Sequence, residues 1–486
     1  MKSLLCVLSV LFLSIACSAQ PQAPDTLWTR TFGGDSLDIG FSVLQTSDGG
    51  FIVTGETFSY GIGNGDVYLI KTDSQGNELW YNTFGGSAEE WGRTIKQTLD
   101  GGYIIIGVTE SFGAGSWDVY LIKTDSQGDE QWQRTFGGSD CDEGYDVLQT
   151  SDGGYILVGE TGSYGAGAYD VYLIRTDGQG NQQWFRTFGG SDEDEGYSIQ
   201  HTFEDGFIIT GWTLSYGAGD RDIYLIKTDS QGNQQWYNTF GGNGIDEGHC
   251  IQQTLDGGFI ITAATSSYGA GNMDVYLLKI DSQGNQQWSN TFGGVECDGG
   301  FDVQHITDDG FIIMGLTWSF GAGDCDVYLI RTDSQGDELW NETFGGSDFD
   351  GGYSVQQTSD GGFIIVGGSE SYSTCACDVY LIRLGVESGL GDFIGQNIPS
   401  NITLYPPFPN PFNSSTTIAF DLPSAAGVEI VIFDTNGKAV TRLETRDLRP
   451  GTNQTVWDAS AQASGIYFVR LEAGNLCQTQ KVVLLK

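Results

Sequence analysis

Runs of consecutive apolar residues, each bounded by Asp and Gly, recur along most of the chain. After Thr83 the apolar and polar positions predict four strands, at residues 93–98, 103–107, 119–123 and 131–136. The turns between them contain Asp and Gly, which tolerate the positive φ of tight turns. The second and third runs are apolar at consecutive positions, which is typical of strands covered on both faces. In the fourth run Trp132 and Phe136 share one face, so both side chains can reach a neighbouring sheet.

These four strands form one unit of a repeat. The motif Thr-Phe-Gly-Gly recurs at intervals of 52 residues, with no insertion, at Thr31, Thr83, Thr135, Thr187, Thr239, Thr291 and Thr343. Four antiparallel strands in each of seven copies predict an all-β fold, a seven-bladed β-propeller. The chain starts with a lone fourth strand around Trp28, and the seventh unit, residues 352–384, lacks one. We therefore expect the N-terminal strand to complete the last blade and to hide both sheet edges.

The repeat resembles a known family. Its motifs are Asp-Val-Tyr-Leu-Ile-Lys, Asp-x-x-Gly-Asn-x-x-Trp and Thr-Phe-Gly-Gly-x-x-x-Asp-x-Gly. They are similar to the bacterial beta-propeller repeat of large exported and surface proteins, and the resemblance covers residues 26–386. It implies the architecture and no particular chemistry, since that family has no common activity. We assign residues 20–386 to the propeller.

A different unit follows a linker at residues 387–400. Residues 401–486 predict a small antiparallel Ig-like β-sandwich with five strands, at residues 416–422, 428–434, 455–458, 466–472 and 479–485. Asn436-Gly437 is a hairpin turn signal. The segments Pro409–Asn413, Trp457-Asp458, Gly465–Leu471 and Lys481–Lys486 resemble the type A C-terminal sorting domain of type IX secretion cargo. The resemblance implies that the type IX machinery binds residues 401–486 and passes the chain through an outer membrane. An ordinary structural sandwich is the alternative.

The first residues predict export. Lys2, an apolar run at residues 4–13 and small residues up to Ala19 are typical of a secretory signal peptide, residues 1–19, cleaved after Ala19. Lipidation at Cys17 is the alternative. No other segment reaches 18 apolar residues, so we expect no transmembrane segment and a secreted or outer-surface protein. Seven scattered cysteines remain after cleavage, an odd number that excludes complete internal pairing.

The amino-acid composition and net charge limit which classes of partner the protein can bind. The chain has 63 acidic and 21 basic residues, a formal net charge of −42, so nucleic acid and anionic membranes are poor partners. The 73 glycines and the 13% of aromatic residues favour many short strands joined by tight turns over a disordered chain. Cations, basic proteins and neutral glycans remain compatible with the charge.

Candidate chemistry lies on the face that carries the longer loops, because binding residues concentrate on loops held by a rigid scaffold. Two rings of carboxylates fall there: Asp38, Glu90, Asp142, Asp194, Asp246, Asp298 and Asp350, and then Asp66, Asp118, Asp170, Asp222, Asp274, Asp326 and Asp378. Seven-fold repetition favours a structural role, in which each side chain caps its own loop. The alternative is calcium, which takes oxygen ligands, held by Asp140, Asp142, Asp146, Asp192 and Asp194.

Residues that break the repeat are the other candidates. We expect a binding face for a glycan or protein ligand, formed by Trp117, Trp212, Trp318 and Arg221 beside Asp118, Asp222 and Asp326. Ordinary loop variation is the alternative. No Ser–His–Asp or Cys–His arrangement is present, so the sequence predicts a non-enzymatic binding or scaffold module with no cofactor other than calcium. The alternative function is a glycan-processing hydrolase or lyase. A cluster of Arg, Glu and Tyr side chains in one pocket on the long-loop face would favour the enzyme, whereas uniform Asp rings around an open channel would favour the module.

Overall fold

The structure is a computed structural model. It describes residues 22–306, 310–373 and 376–387, together with residues 403–484 apart from 406, 408–411, 413–414, 423–425, 436–437, 449–450, 460–461 and 474–475. The signal peptide, nearly all of the linker and the Asn436-Gly437 turn lie outside the described residues. No helix in these ranges is long and apolar enough to cross a membrane.

Seven four-stranded antiparallel sheets form the propeller, and they confirm the predicted architecture. We call each sheet a blade and number the blades in chain order. The first strand of each blade contacts the first strands of both neighbouring blades, so these strands surround the central axis. They are Asp38–Gln45, Glu90–Gln97, Asp142–Gln149, Asp194–Thr202, Asp246–Gln253, Asp298–His305 and Asp350–Gln357.

The second and third strands of every blade are apolar at consecutive positions because both of their faces are covered. The second strands are Phe51–Thr57, Tyr103–Thr109, Tyr155–Thr161, Gly206–Thr213, Phe259–Thr265, Phe311–Thr317 and Phe363–Ser369. The third strands are Asp66–Thr72, Asp118–Thr124, Asp170–Thr176, Asp222–Asp229, Asp274–Ile280, Asp326–Thr332 and Asp378–Leu384.

Each apolar core lies between two blades. The core between blades two and three, for example, joins Ile106 and Leu121 of one sheet to Val147 and Leu157 of the next. Seven such cores connect the ring, and each buries side chains from two adjacent blades. A blade therefore depends on both of its neighbours for burial of its apolar faces.

The outermost strands confirm the predicted closure. Six follow their own blade: Glu78–Phe84, Glu130–Phe136, Gln182–Phe188, Gln234–Phe240, Gln286–Phe292 and Glu338–Phe344. The seventh blade takes Thr26–Phe32, which pairs antiparallel with Asp378–Leu384 from Thr26 opposite Leu384 to Phe32 opposite Val379. Trp28 packs edge-on against Phe51 of blade one, as Trp132 packs against Tyr155 of the following blade, each at a ring distance of 5.9 Å.

The C-terminal unit has two antiparallel sheets. One contains Thr403–Leu404, Ser415–Leu422 and Gly451–Asp458; the other contains Ala439–Leu448, Ala426–Asp434, Gly465–Ala473 and Leu476–Leu484. Buried Phe420, Ile430, Trp457 and Val469 are part of its core. The strand Ala439–Leu448 was missing from the sequence prediction, because its many charged residues obscure the apolar alternation. The two-sheet sandwich itself is confirmed.

Candidate functional site

A β-bulge shapes the inner strand of every blade. In blade three the pairing shifts between Gly144 and Asp146, so Tyr145 is the extra residue, and all seven inner strands repeat this shift. A bulge redirects the side chain of the extra residue. The seven bulge residues form what we call the aromatic belt: Phe41, Arg93, Tyr145, Tyr197, His249, Phe301 and Tyr353.

Each belt residue contacts the next, which makes a closed circle around the axis. The five ring–ring contacts have centroid distances of 5.3, 4.9, 5.5, 5.0 and 5.9 Å. The Arg93 guanidinium completes the circle, at 5.0 Å from the Phe41 ring and 5.7 Å from the Tyr145 ring. The belt separates the long-loop side of the channel from the short-turn side. Burial lowers the pKa of His249, so this histidine is neutral in its ring-to-ring packing.

Above the belt, on the long-loop side, lies what we call the channel mouth. It consists of the inner-strand residue two positions before each belt residue, together with its pairing partner on the second strand. The inner-strand residues are Ile39, Trp91, Glu143, Glu195, Glu247, Gly299 and Gly351, and the partners are Glu56, Val108, Glu160, Trp212, Ala264, Leu316 and Gly368. Carboxylates gather in blades three to five, and small or apolar residues follow in blades five to seven. The mouth therefore lacks the seven-fold symmetry of the fold.

Three carboxyl groups converge in the acidic half. Glu160 is opposite Glu143 in the strand register, and Glu195 of blade four is close enough to interact with it electrostatically. Burial, reinforced by Glu195 and Glu143, raises the pKa of Glu160 well above its ordinary value, and burial also raises the pKa of Glu195.

Hydroxyl groups of the belt hold the other two carboxylates. The Tyr197 hydroxyl donates to Glu195 Oε2 at 2.6 Å, and the Tyr145 hydroxyl donates to Glu143 Oε2 at 3.0 Å. Trp212 Nε1 in turn donates to the Tyr197 oxygen at 3.0 Å. These bonds fix the orientation of the carboxylates and add no positive charge.

Arg221 is the cation nearest to this network. Its guanidinium lies 4.0 Å from the centre of the Trp212 ring and donates to Glu247 Oε1. Both its charge and its flat face are therefore engaged. Arg221 also interacts electrostatically with Glu195, so its charge acts on both Glu247 and Glu195.

The two Asp rings have a structural role, as the sequence favoured. Asp142 is buried and accepts hydrogen bonds from Gly138 N, Ser163 Oγ and Thr161 Oγ1, the first two at 2.7 Å. Asp118 accepts from Ala114 N and Gly115 N at 2.9 and 3.0 Å. The two rings meet at the first glycine of each Thr-Phe-Gly-Gly motif, and this contact explains why glycine is needed there. A Cβ on Gly137 would lie 2.2 Å from Asp118 Oδ1 and 2.6 Å from Asp142 Oδ2.

The five residues proposed for calcium do not converge. Asp140 and Asp192 are exposed at loop tips, whereas Asp142 and Asp194 are buried in their caps. Asp146 lies beyond the belt, where it accepts from Ile199 N at 3.1 Å and faces Lys96 at 3.8 Å. Within the part of the chain that the structure describes, no group of three or more His, Cys, Asp or Glu side chains is arranged to hold a metal ion. Calcium binding stays a prediction.

The predicted binding face is only partly assembled. Trp117 packs on Trp91 at a ring distance of 4.6 Å, and Trp318 is 43% exposed. Trp212, expected to be exposed, is 1% exposed, because its ring is covered by Arg221 and its nitrogen bonds to Tyr197. The three aspartates of this prediction cap loops through backbone N–H groups and are buried: Asp118, Asp222 and Asp326.

The residues that do converge were missed in the sequence. Glu143, Glu160, Glu195 and the belt tyrosines lie in strands, whereas the residues predicted from the sequence lie mainly in or next to loops. The signal for them is the variation between the seven repeats. The column of Glu160 also contains Glu, Val, Trp, Ala, Leu and Gly, in a strand that has Ile four positions before this column in every repeat.

Comparison with known families identifies the C-terminal unit. Residues 407–485 match the family described as the secretion system C-terminal sorting domain. The resemblance to type IX secretion cargo is confirmed on these residues. The domain indicates a secreted or cell-surface protein and an interaction with the secretion machinery.

The propeller has more distant similarities. One curated protein, the regulatory protein FlaEY of Caulobacter vibrioides, is 28% identical over 215 residues, which are 38% of this chain and 22% of that protein. The chain thus spans about a fifth of the length of that relative. PorZ, a surface component of the type IX secretion system of Porphyromonas gingivalis, superposes with a TM-score of 0.41 at 12% identity, over 92% of this chain and 59% of PorZ. A fungal alcohol oxidase in complex with copper gives 0.48 at 13% identity, over 95% of this chain and all of the oxidase. Neither superposition carries an argument about function.

Proposed function

We propose that this chain is an exported binding module that takes its ligand at the channel mouth, above the aromatic belt. The observation that supports the proposal is the asymmetry of the mouth. The caps, interblade cores and turns repeat in every blade, while the residues lining the mouth differ from blade to blade. A purely structural surface would follow the repeat, whereas a ligand that is not seven-fold symmetric needs a different residue at each position.

The export route completes the proposal. The signal peptide at residues 1–19 takes the chain across the inner membrane and is removed after Ala19, and the sorting domain passes it to the type IX machinery. The propeller is then outside the cell, where it meets glycans, peptides and small molecules.

A screen of the full chain against glycans, peptides and small charged molecules tests the proposal. Ligands found by thermal shift are retested on Glu195→Gln, which changes the mouth, and on Glu338→Gln, which changes an exposed residue of an outermost strand. We expect binding to be lost in the first variant and kept in the second. A ligand that both variants bind equally well would place the site elsewhere and contradict the proposal.

An extracellular glycan-processing enzyme is the second candidate, because Arg221, Tyr197 and the glutamates do form a mixed cluster on the long-loop face. Release of reducing ends from a polysaccharide panel, abolished in Glu160→Gln, would establish the enzyme instead.

A further inference from the structure

The acidic half of the channel mouth has features that point to the charge of its ligand. Glu160 is 6% exposed, yet its Oε2 atom has no hydrogen-bond donor within the described part of the protein. It faces two further carboxyls, Glu143 across the strand pair and Glu195 from the next blade. Like charges placed directly opposite in a sheet are unfavourable. A buried acceptor with no donor is also costly to leave unmatched. A donor that carries positive charge would remove both penalties.

The protein does not supply that donor itself. Arg221 is bonded to Glu247 and covers Trp212. Arg93 lies in the belt between the rings of Phe41 and Tyr145. The hydroxyls of Tyr145 and Tyr197 satisfy one oxygen each of Glu143 and Glu195 and leave their charge in place.

The surroundings fit an organic cation better than a metal ion. Tyr145 and Tyr197 reach the cluster with their hydroxyls, while their rings pack against Arg93 and His249. Ammonium and guanidinium groups donate several hydrogen bonds to carboxylates, while a hard metal ion requires a shell of oxygen ligands. No arrangement suited to a metal ion is found among the described residues.

The other side of the mouth is apolar. Ala264 and Leu316 lie there and are 5% and 6% exposed, and a Cβ added at Gly299 would touch the Phe301 ring at 3.7 Å. Recognition at the mouth therefore rests on the cationic group of the ligand.

We propose that Glu143, Glu160 and Glu195 bind an ammonium or guanidinium group, carried either by a free amine or by a Lys or Arg side chain. The inference rests on the proposed function, since it assigns the ligand class of the same mouth. The cation supplies the hydrogen-bond donor that Glu160 Oε2 lacks and pairs with the neighbouring carboxylates.

Titration calorimetry on the full chain tests this inference. The probes are n-butylammonium and butylguanidinium, with n-butanol as the neutral control. The peptides Gly-Lys-Gly and Gly-norleucine-Gly distinguish a side chain from a free amine. We expect the cations to bind and the neutral molecules not to bind.

Matched variants locate the site. Glu160→Gln should weaken cation binding by about tenfold to a hundredfold, the effect of losing one charge-assisted hydrogen bond. Glu143→Gln should act in the same direction and serves if the first variant folds poorly. Glu338→Gln, at an exposed position of an outermost strand, should bind as the unmodified chain does. No cation binding at millimolar concentration, equal binding of n-butanol, or unchanged binding in Glu160→Gln would overturn the inference. If the chain instead binds a neutral ligand, and Glu195→Gln abolishes that binding, the inference of a cationic ligand is wrong while the proposed function still holds.

Discussion

The closure of the ring can be tested at Phe32, the last residue of the N-terminal strand. Its side chain is 8% exposed and packs in the core between blades seven and one, with Val43, Val379 and Leu381. Replacing a buried Phe by Ala removes its transfer free energy and leaves a cavity, which together cost about 3–5 kcal/mol. We expect Phe32→Ala to lower the free energy of unfolding by about 3–4 kcal/mol, because a small part of the ring remains accessible.

Phe136 offers a matched control. It occupies the same position of the repeat and is 6% exposed, in an outermost strand that follows its own blade directly. Urea unfolding of both variants, followed by tryptophan fluorescence under reducing conditions, gives the comparison. We expect similar losses for the two, and less than about 0.5 kcal/mol for the exposed Leu27→Ala.

Two results would refute this reasoning. If Phe32→Ala behaves like Leu27→Ala, the N-terminal strand does not dock in the last blade. If the urea curve of the unmodified chain has a separate early transition, and Phe32→Ala removes only that transition, the strand docks but detaches before the ring unfolds. In that case it does not share the cooperative unfolding of the ring.

Three other predictions concern charge, metal and export. Burial, aided by Glu89, raises the pKa of Glu56 to about 7 from 4.5. The folded state therefore binds this proton more tightly than the unfolded state does. The free energy of unfolding should fall by about 3 kcal/mol as pH rises from 4.5 through 7. Glu56→Gln should reduce that slope in urea titrations at pH 5 and 8, and an unchanged slope would contradict the assignment. Calcium or a chelator should leave the melting temperature unchanged, because backbone and hydroxyl groups occupy the oxygens of Asp142; a rise of several degrees with calcium would instead support metal binding. Trp457→Ala empties the centre of the sorting domain and should retain the protein inside the cell in fractionation assays, whereas Trp318→Ala should be exported normally.

The sequence predicts the propeller in detail because its determinants are local and repeated seven times. The consecutive apolar runs, the Asp-Gly turns and the missing Trp strand at the end of blade seven specify strands, order and closure. The Lys or Arg that ends each third strand is also structural, as the repetition suggests. Lys71, for example, is buried and pairs with Asp48 at 3.0 Å. Burial alone would raise the pKa of Asp48, but bonds from Thr46, Gly50 and Lys71 hold it at about 2.

The candidate site could not be predicted in the same way. Glu143 and Glu195 are 52 residues apart, and only the circular arrangement of blades brings them together. The bulge that points Tyr145 and Tyr197 toward the axis has no separate signature, since the same Gly and polar residues also fit a regular strand. The sequence predicts Trp212 to be an exposed aromatic residue, and its burial depends on Arg221, which comes from the loop before the third strand of the blade.

The pairing of Thr26–Phe32 with Asp378–Leu384 has a consequence for the order of events during export. The N-terminal strand must wait for a partner about 350 residues later in the chain, and contacts so distant in sequence form slowly. Until then the third strand of the last blade has a bare edge, open to pairing with other chains. A chaperone that binds this edge, or rapid secretion, would protect the chain during this interval. The sorting domain follows the ring in the sequence, so the secretion signal is complete only when the ring can be closed.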